Sequence, residues 1–168
     1  STLANASQVV ASAIGSLSGP LHGGANEKVI AMLQKIESKE EIRPWLDETL
    51  KAKNVVWGMG HREYSVKDPR ANILTDMVQE LFEEREGGVT DIFDKAIELE
   101  KACEEKLSHK GVYPNVDFYS GILYKEMDIP TDIFTPIFAM SRVSGWLAHW
   151  IEQIQDNKIF RPTQNYVG

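Results

Sequence analysis

Helical periodicity extends over almost the whole chain and limits the possible folds more than any other feature does. Apolar residues recur three or four positions apart, as in an amphipathic α-helix, and no stretch shows the alternation of a half-buried strand. Glycine and proline mark the joints between the periodic segments. The sequence therefore predicts an all-α fold, with helices at residues 3–17, 25–38, 40–53, 70–86, 90–108, 116–126 and 131–158. Within the fourth helix the residues expected to be buried are Ile73, Leu74, Met77, Val78, Leu81 and Phe82.

The composition is that of an ordinary globular protein with an acidic balance. Charged residues make up 26% of the 168 residues and the formal net charge is -7, so nothing favours nucleic acid or a membrane surface as a partner. The single cysteine, Cys103, excludes an internal disulfide and favours a reducing compartment. No apolar run approaches the length of a membrane span, and no signal or transit peptide is recognisable. The chain begins at Ser1 within an alanine-rich helical pattern, so we expect a fragment of a longer protein.

Three polar residues stand at joints that precede predicted helices. His22 lies in GPLHGG, His61 in GMGH and Asp117 in PNVD. A helix N-terminus carries partial positive charge, which disfavours a charged imidazole at His22 and favours an ionised carboxylate at Asp117. A neutral His22 can donate a hydrogen bond, and an ionised Asp117 can act as a base.

Each of these residues also has a purely structural interpretation. An aspartate before a helix is usually an N-cap, and a histidine beside glycines can simply occupy a turn. Two histidines and an aspartate can also bind a metal ion. Because the spacings are wide and lack the His-x-x-His or Glu-x-x-His pairs of zinc sites, no metal site is predicted.

Several basic residues can meet an anionic ligand against the acidic background. Arg142 lies within a mostly apolar predicted helix, where an arginine needs a counter-charge, and this favours Arg142 as an anion ligand. Arg70 follows Pro69 at a predicted helix start, and a solvated side chain is the alternative. Arg161 follows the last helix, and Lys110 precedes a Tyr-Pro joint, where it could meet a phosphate.

Taken together and in order, the joints resemble the signature segments of the citrate synthase family. The resemblance rests on GPLHGGANE (19–27), GMGHREYSVKDPRA (58–71), PNVDFYSG (114–121), SRVSGWLAHWIEQ (141–153) and FRP (160–162). It runs over essentially the whole chain and is closer to the bacterial type of the family. It implies an all-α, two-domain enzyme that condenses acetyl-CoA with oxaloacetate and water to give citrate and CoA.

The resemblance implies a role for each of the polar residues. His22 matches the histidine that hydrogen-bonds the thioester carbonyl, and Asp117 matches the base that removes a proton from the acetyl methyl group. His61 matches the histidine that polarises the ketone of oxaloacetate. Arg70 and Arg142 match arginines that hold carboxylates of oxaloacetate and citrate.

The chemistry of the reaction agrees with these roles. The α-proton of a thioester is a poor acid, so a carboxylate removes it only when a donor stabilises the developing charge on the carbonyl oxygen. The two carboxylates of the second substrate suit bidentate arginine. The glycines before His61 would present its ring on the same wall as the CoA contacts, and Pro69 would fix Arg70 nearby. Closure of a smaller domain over a larger one is expected to exclude water from the site.

Contacts with CoA and with a second subunit are also implied. The segment whose backbone lies along the CoA adenine matches Val56, Trp57, Gly58, Met59 and Gly60. Arg62 and Lys110 match possible contacts with the CoA phosphates, and Arg161 matches an arginine that reaches the neighbouring subunit's site. The resemblance further implies no permanently bound cofactor, with acetyl-CoA and CoA as substrate and product, and a cytoplasmic dimer or multiple of dimers.

The family's chains are more than twice as long as this one. The resemblance therefore implies a large-domain helix segment at 1–23, a small CoA-binding domain at 24–128, and a large-domain C-terminal helix and tail at 129–168. A further oxaloacetate-binding histidine of the family would precede Ser1, so we expect little or no synthase activity from the chain alone. The alternatives are a 2-methylcitrate synthase that uses propionyl-CoA, and a non-catalytic helical module that binds CoA or a partner subunit.

Overall fold

A computed structural model describes residues 1–19, 21–83, 88–165 and 167. Within these ranges the structure contains seven α-helices and no β-strand, so the all-α prediction is confirmed. The helices are α1 (Ala6–Leu17), α2 (Ala25–Leu33), α3 (Ile42–Lys51), α4 (Pro69–Glu83), α5 (Asp91–Leu107), α6 (Val116–Glu126) and α7 (Phe134–Gln155). Short 3-10 turns lie at Lys39–Glu41, Ser108–Lys110 and Thr131–Ile133. Among the described residues, none of the helices combines the length and the hydropathy that a membrane span requires.

Local sequence signals explain several helix ends. Asn5 and Gln8 form a reciprocal capping box at the start of α1, with hydrogen bonds of 3.0 and 3.1 Å between side chain and backbone. Pro44 lies in the first turn of α3, where its missing N–H costs little. Four predicted ends are too late, since α2 ends at residue 33 instead of 38, α3 at 51 instead of 53, α5 at 107 instead of 108 and α7 at 155 instead of 158. The predicted end of α4 at residue 86 lies outside the described residues.

The chain divides into two compact units. Unit 1 comprises Ser1–Gly23 and Thr135–Gly168, and unit 2 comprises Gly24–Phe134. The assignment of these units to the large and small domains of a longer protein stays a prediction.

Helix α6 lies in the core of unit 2 and packs against α2 and α4. Phe118, Tyr119 and Ile122 are fully buried on this helix. At Gly121 a Cβ atom would lie 2.7 Å from the backbone oxygen of Asn26, so only glycine allows α2 to approach this closely. The helix that carries Asp117 is therefore held from several sides by packed side chains and backbone.

The prediction of the buried residues of α4 is confirmed for Val78 and Phe82, while Leu74 and Leu81 are only partly buried. Ala71, Val78 and Phe82 are buried, whereas Ile73 and Met77 are 60% and 46% exposed. The prediction for Ile73 and Met77 is wrong because apolar residues occur on both sides of this helix, and periodicity alone does not say which side faces α6.

Unit 1 contains α1 and most of α7. The Trp150 indole donates a hydrogen bond to the Ala4 carbonyl (3.1 Å), and the Thr135 hydroxyl donates one to the Gly23 carbonyl (2.8 Å). Helix α7 runs through Pro136 in its first turn without the break that a proline can cause in a helix interior.

Candidate active site

The glycine loop, residues 56–60, is joined by backbone hydrogen bonds to the segment that leads into α6. The Gly60 N–H donates to the Tyr113 carbonyl (2.8 Å), and the Asn115 N–H donates to the Gly58 carbonyl (2.9 Å). An isolated antiparallel bridge pairs Met59 with Pro114 between these two bonds. Two of the three motifs singled out in the sequence are therefore adjacent in space, although they lie more than 50 residues apart in the chain.

Asn115 connects the glycine loop to the first turn of α6 through its side chain. Its Nδ2 atom donates to the Gly60 carbonyl (2.8 Å), while its Oδ1 atom accepts from the Asp117 N–H (2.9 Å) and caps the helix. The interpretation of Asp117 as the N-cap is therefore wrong, since Asn115 fills that position. Sequence reasoning missed Asn115, although asparagine directly before a helix is itself a capping signal.

Asp117 is the second residue of α6 and is partly buried. The partial positive charge at the N-terminus of a helix favours the ionised form of a carboxylate at this position. Its charge also acts on Tyr124, whose pKa is raised above the ordinary value first by burial and then by the negative charge of Asp117. The position therefore suits an ionised carboxylate at the margin of the core, as a general base requires.

His61 follows the glycine loop with an exposed side chain. The Glu63 N–H donates to its Nδ1 atom (3.0 Å), so in the neutral ring the proton lies on Nε2. The ring also stacks on Tyr64, with centroids 3.7 Å apart and planes 9° apart. A neutral His61 in this state offers an Nε2–H donor, as the polarisation of a ketone requires.

Arg70 is held by Asp68, a residue that sequence reasoning missed. The guanidinium Nη2 donates to Asp68 Oδ2 (2.7 Å), Nε donates to Oδ1 (3.0 Å), and the Arg70 N–H donates to Oδ1 (2.9 Å). The hydrogen bonds from Arg70 hold the pKa of the buried Asp68 well below its usual range, and Asp68 in turn raises the pKa of Arg70. Pro69 starts α4, but the side chain of Arg70 is fixed by Asp68 and not by Pro69 as expected.

The residues predicted to contact CoA lie along the glycine loop and next to it. Val56 and Gly58 are buried, and Trp57, Met59 and Gly60 are partly buried. Both Arg62 and Lys110 are exposed. Their segments meet where Gly111, with a φ of +68°, approaches Ser65 so closely that a Cβ atom would lie 2.5 Å from the serine Cβ. The structure therefore brings the two segments that carry these cations together.

In unit 1, His22 and Arg142 contact the same aromatic ring. His22 meets Phe138 edge-on, with centroids 5.9 Å apart, and the Arg142 guanidinium carbon lies 4.7 Å from the centre of the Phe138 ring. Arg142 is exposed, so the expectation that it lies in apolar surroundings is wrong and its cation–π contact needs no buried counter-charge. Arg161 lies beyond α7 and is exposed.

The described residues contain no group of three or more His, Cys, Asp or Glu side chains that could hold a metal ion. Unit 2 thus carries His61, Arg70 and Asp117, and unit 1 carries His22, Arg142 and Arg161. That all six meet around one substrate stays a prediction.

These features define an all-α protein whose candidate catalytic groups lie at a glycine loop and at the start of a buried helix. Residues 1–163 match the family model described as citrate synthase, C-terminal domain, and the chain belongs to the citrate synthase family.

Named relatives and solved structures agree with this family. The chain is 55% identical to citrate synthase of Synechocystis over all 168 residues, and 51% identical to citrate synthase of Acidithiobacillus ferridurans over the same length. It spans 42% and 44% of those two proteins, which is less than half of their length.

A crystal structure of citrate synthase from Thermotoga maritima superposes with a TM-score of 0.88 at 42% identity, covering 99% of this chain and 45% of that one. A ternary complex of citrate synthase from Thermoplasma acidophilum with carboxymethyl coenzyme A and oxaloacetate superposes with a TM-score of 0.85 at 37% identity. That match covers 95% of this chain and 42% of the other.

Proposed function

We propose that this chain forms the C-terminal part of an enzyme that condenses acetyl-CoA with oxaloacetate and water, giving citrate and CoA. The observation that supports this most strongly is the link made by Asn115, which joins the loop before His61 to the helix that carries Asp117. A base and a ketone-polarising donor that act on the same pair of reacting carbons need a fixed arrangement relative to each other, and this link supports such an arrangement. The names of the relatives support the same reaction.

The reaction begins at the acetyl methyl group. Asp117 removes a proton from this carbon while His22 hydrogen-bonds the thioester carbonyl oxygen, which carries the developing negative charge. The resulting enolate attacks the ketone carbon of oxaloacetate, the ketone π bond breaks as the new carbon–carbon bond forms, and the alkoxide oxygen takes up one proton, which balances the proton that Asp117 removed. His61 polarises that oxygen through Nε2–H, the proton that the contact from Glu63 leaves on the outer nitrogen. Water then cleaves the thioester and releases CoA.

Three arginines complete the proposed site. Arg70 and Arg142 hold the carboxylates of oxaloacetate, and Arg161 reaches the site of a neighbouring subunit in a dimer or multiple of dimers. Asp68 forms an ion pair with Arg70. An incoming carboxylate therefore competes with Asp68 for the guanidinium, or it binds the guanidinium N–H groups that do not bond to Asp68.

CoA lies along the backbone of the glycine loop, with Arg62 and Lys110 near its phosphates. Both are exposed cations in a chain of net charge -7, so they supply local positive charge where an anionic ligand would need it. No cofactor is bound permanently. The bacterial relatives support a cytoplasmic location.

A chimera tests the proposal. The chain would replace the matching 168 residues of the Synechocystis relative, and CoA release from acetyl-CoA and oxaloacetate would be followed with a thiol reagent. Cys103 should contribute little background, because it is fully buried and burial raises its pKa to about 12. We expect turnover in the chimera and little or none in the 168-residue chain alone. A folded chimera without turnover would refute the proposal.

Asp117→Ala tests the assigned base. Turnover by the chimera should fall by at least about 100-fold, the lower end of the usual contribution of a general base, while oxaloacetate binding stays nearly intact. Asp94→Ala is the matched control, because Asp94 lies in the first turn of another helix, α5, and should leave turnover unchanged. Near-normal turnover in Asp117→Ala would limit that residue to a structural role.

The same chimera distinguishes the alternative functions. Comparable rates with propionyl-CoA would favour a 2-methylcitrate synthase, and CoA binding without turnover would favour a non-catalytic module.

A further inference from the structure

The ring of His61 is held in one orientation although its side chain is exposed. An exposed histidine normally samples several rotamers. Here the ring lies flat against Tyr64, with centroids 3.7 Å apart, and its Nδ1 atom accepts the hydrogen bond from Glu63. The stacked contact sets the plane of the ring, and the hydrogen bond sets which nitrogen faces outward.

Tyr64 is itself fixed by a buried acid. Its hydroxyl donates to Asp68 Oδ2 at 2.6 Å, and Asp68 is only 2% exposed. The same carboxylate accepts hydrogen bonds from the guanidinium and the N–H of Arg70. One continuous series of contacts therefore runs from the ring of His61 through Tyr64 and Asp68 to Arg70.

We propose that Tyr64 is a positioning residue that sets the ring plane of His61 and, through Asp68, ties it to Arg70. The inference rests on the proposed function, in which His61 and Arg70 contact the ketone and a carboxylate of one substrate. In a 2-keto dicarboxylate these two groups are separated by a fixed number of bonds. If the Nε2–H of His61 and the guanidinium of Arg70 are held at a fixed separation, they favour a 2-keto dicarboxylate over a substrate whose ketone and carboxylate are spaced differently.

The geometric part is tested on the unmodified 168-residue chain by NMR. Nuclear Overhauser effects should connect the ring protons of His61 with those of Tyr64, and their absence would overturn the proposal without any substitution. In Tyr64→Leu the His61 ring protons should move downfield, because they lose the shielding of the stacked ring. The signals of His109 and His149 should not move. Tyr113→Leu is the matched control, since Tyr113 contacts the glycine loop through its backbone carbonyl, which the substitution keeps.

The functional part is tested in the chimera described above. Tyr64→Leu should raise the KM for oxaloacetate roughly two- to tenfold, the range expected from losing one aromatic contact, with a smaller effect on the KM for acetyl-CoA. Tyr64→Phe keeps the stacked ring but loses the hydroxyl bond to Asp68, so its KM for oxaloacetate should lie between those of the unmodified chimera and Tyr64→Leu, whereas an effect on general folding would change both KM values alike. An unchanged KM for oxaloacetate in an active chimera would overturn the substrate role.

The two experiments separate this inference from the proposed function. If the NMR contacts are present but the unmodified chimera has no turnover, the proposed function fails and the positioning of His61 by Tyr64 stands. If the chimera is active and Tyr64→Leu changes neither the His61 signals nor the KM for oxaloacetate, the inference fails and the function stands.

Discussion

Gly58→Ala should destabilise unit 2 by about 2–5 kcal/mol, because two separate costs fall on one residue. The first is conformational. Gly58 has a φ of +80°, and a residue with a Cβ atom pays about 1–2 kcal/mol in that region. The second is steric. A Cβ atom at Gly58 would lie 2.8 Å from the Cβ and 2.9 Å from the Cα of Phe118, and relieving such overpacking costs about 1–3 kcal/mol. Phe118 is fully buried on α6, so it has no room to withdraw.

Gly60→Ala provides the control that separates the two costs. Gly60 has a φ of +83°, so it should carry the same conformational cost of about 1–2 kcal/mol. However, the nearest atom to its added Cβ would be Val112 Cγ1 at 3.7 Å, an ordinary van der Waals distance. The difference between the two variants, about 1–3 kcal/mol, therefore measures the clash with α6 alone.

Urea unfolding followed by circular dichroism measures both free energies, and each kcal/mol should lower Tm by about 2–4 °C in a chain of this size. Hydrogen exchange at the Gly60 N–H, which donates to the Tyr113 carbonyl, reports whether the loss is local. Equal destabilisation by the two substitutions would refute the reasoning, because it would mean that the loop moves away from α6 without cost.

The polar contacts of unit 2 carry further expectations. Asn115→Ala should cost about 1.5–2.5 kcal/mol, about 1 for the lost helix cap and about 0.5–1.5 for the lost bond to the Gly60 carbonyl. Asn115→Ser keeps a capping oxygen without placing an acceptor against the Gly60 carbonyl, and it should cost less in urea unfolding; an equal loss would contradict this division. The free energy of unfolding should fall as the pH drops below about 4, because Asp68 has a depressed pKa in the folded chain and its stabilisation is lost on protonation. Asp68→Asn should flatten this part of the pH profile, and an unchanged slope would show that other carboxylates cause it.

The helices could be predicted from the sequence because their signals are local. Periodicity, proline positions and capping residues act within a few residues of each helix end, so element type and order were predictable and ends varied by a few residues. The exposed face of α4 was not predictable in the same way. Ile73 and Met77 are as apolar as the residues that are buried, and only the position of α6 decides between the two faces.

The sequence predicts the candidate site residues that stand in recognisable motifs, but not the residues that hold them in place. His61 and Asp117 were chosen because they stand at joints, and the family resemblance gave them roles. The residues that hold them were missed, because their function depends on partners elsewhere in the fold. In the sequence, nothing distinguishes Asp68 from the other acidic residues. Only the structure shows its hydrogen bonds with Arg70 and Tyr64.

The glycines of the GMGH motif have a structural role beyond the predicted presentation of His61. They were expected to present His61, yet the tight constraint falls on Gly58, three residues earlier, where the loop touches Phe118. Phe118 directly follows Asp117 in α6, so the requirement for glycine sets how closely the loop approaches the turn that carries the proposed base. Asn115 then fixes the alignment of loop and helix by bonding to both. The position of the glycine loop relative to the first turn of α6 thus depends on the close approach at Gly58 and on the side chain of Asn115. A substitution at either residue should disturb the proposed chemistry without changing a reacting group.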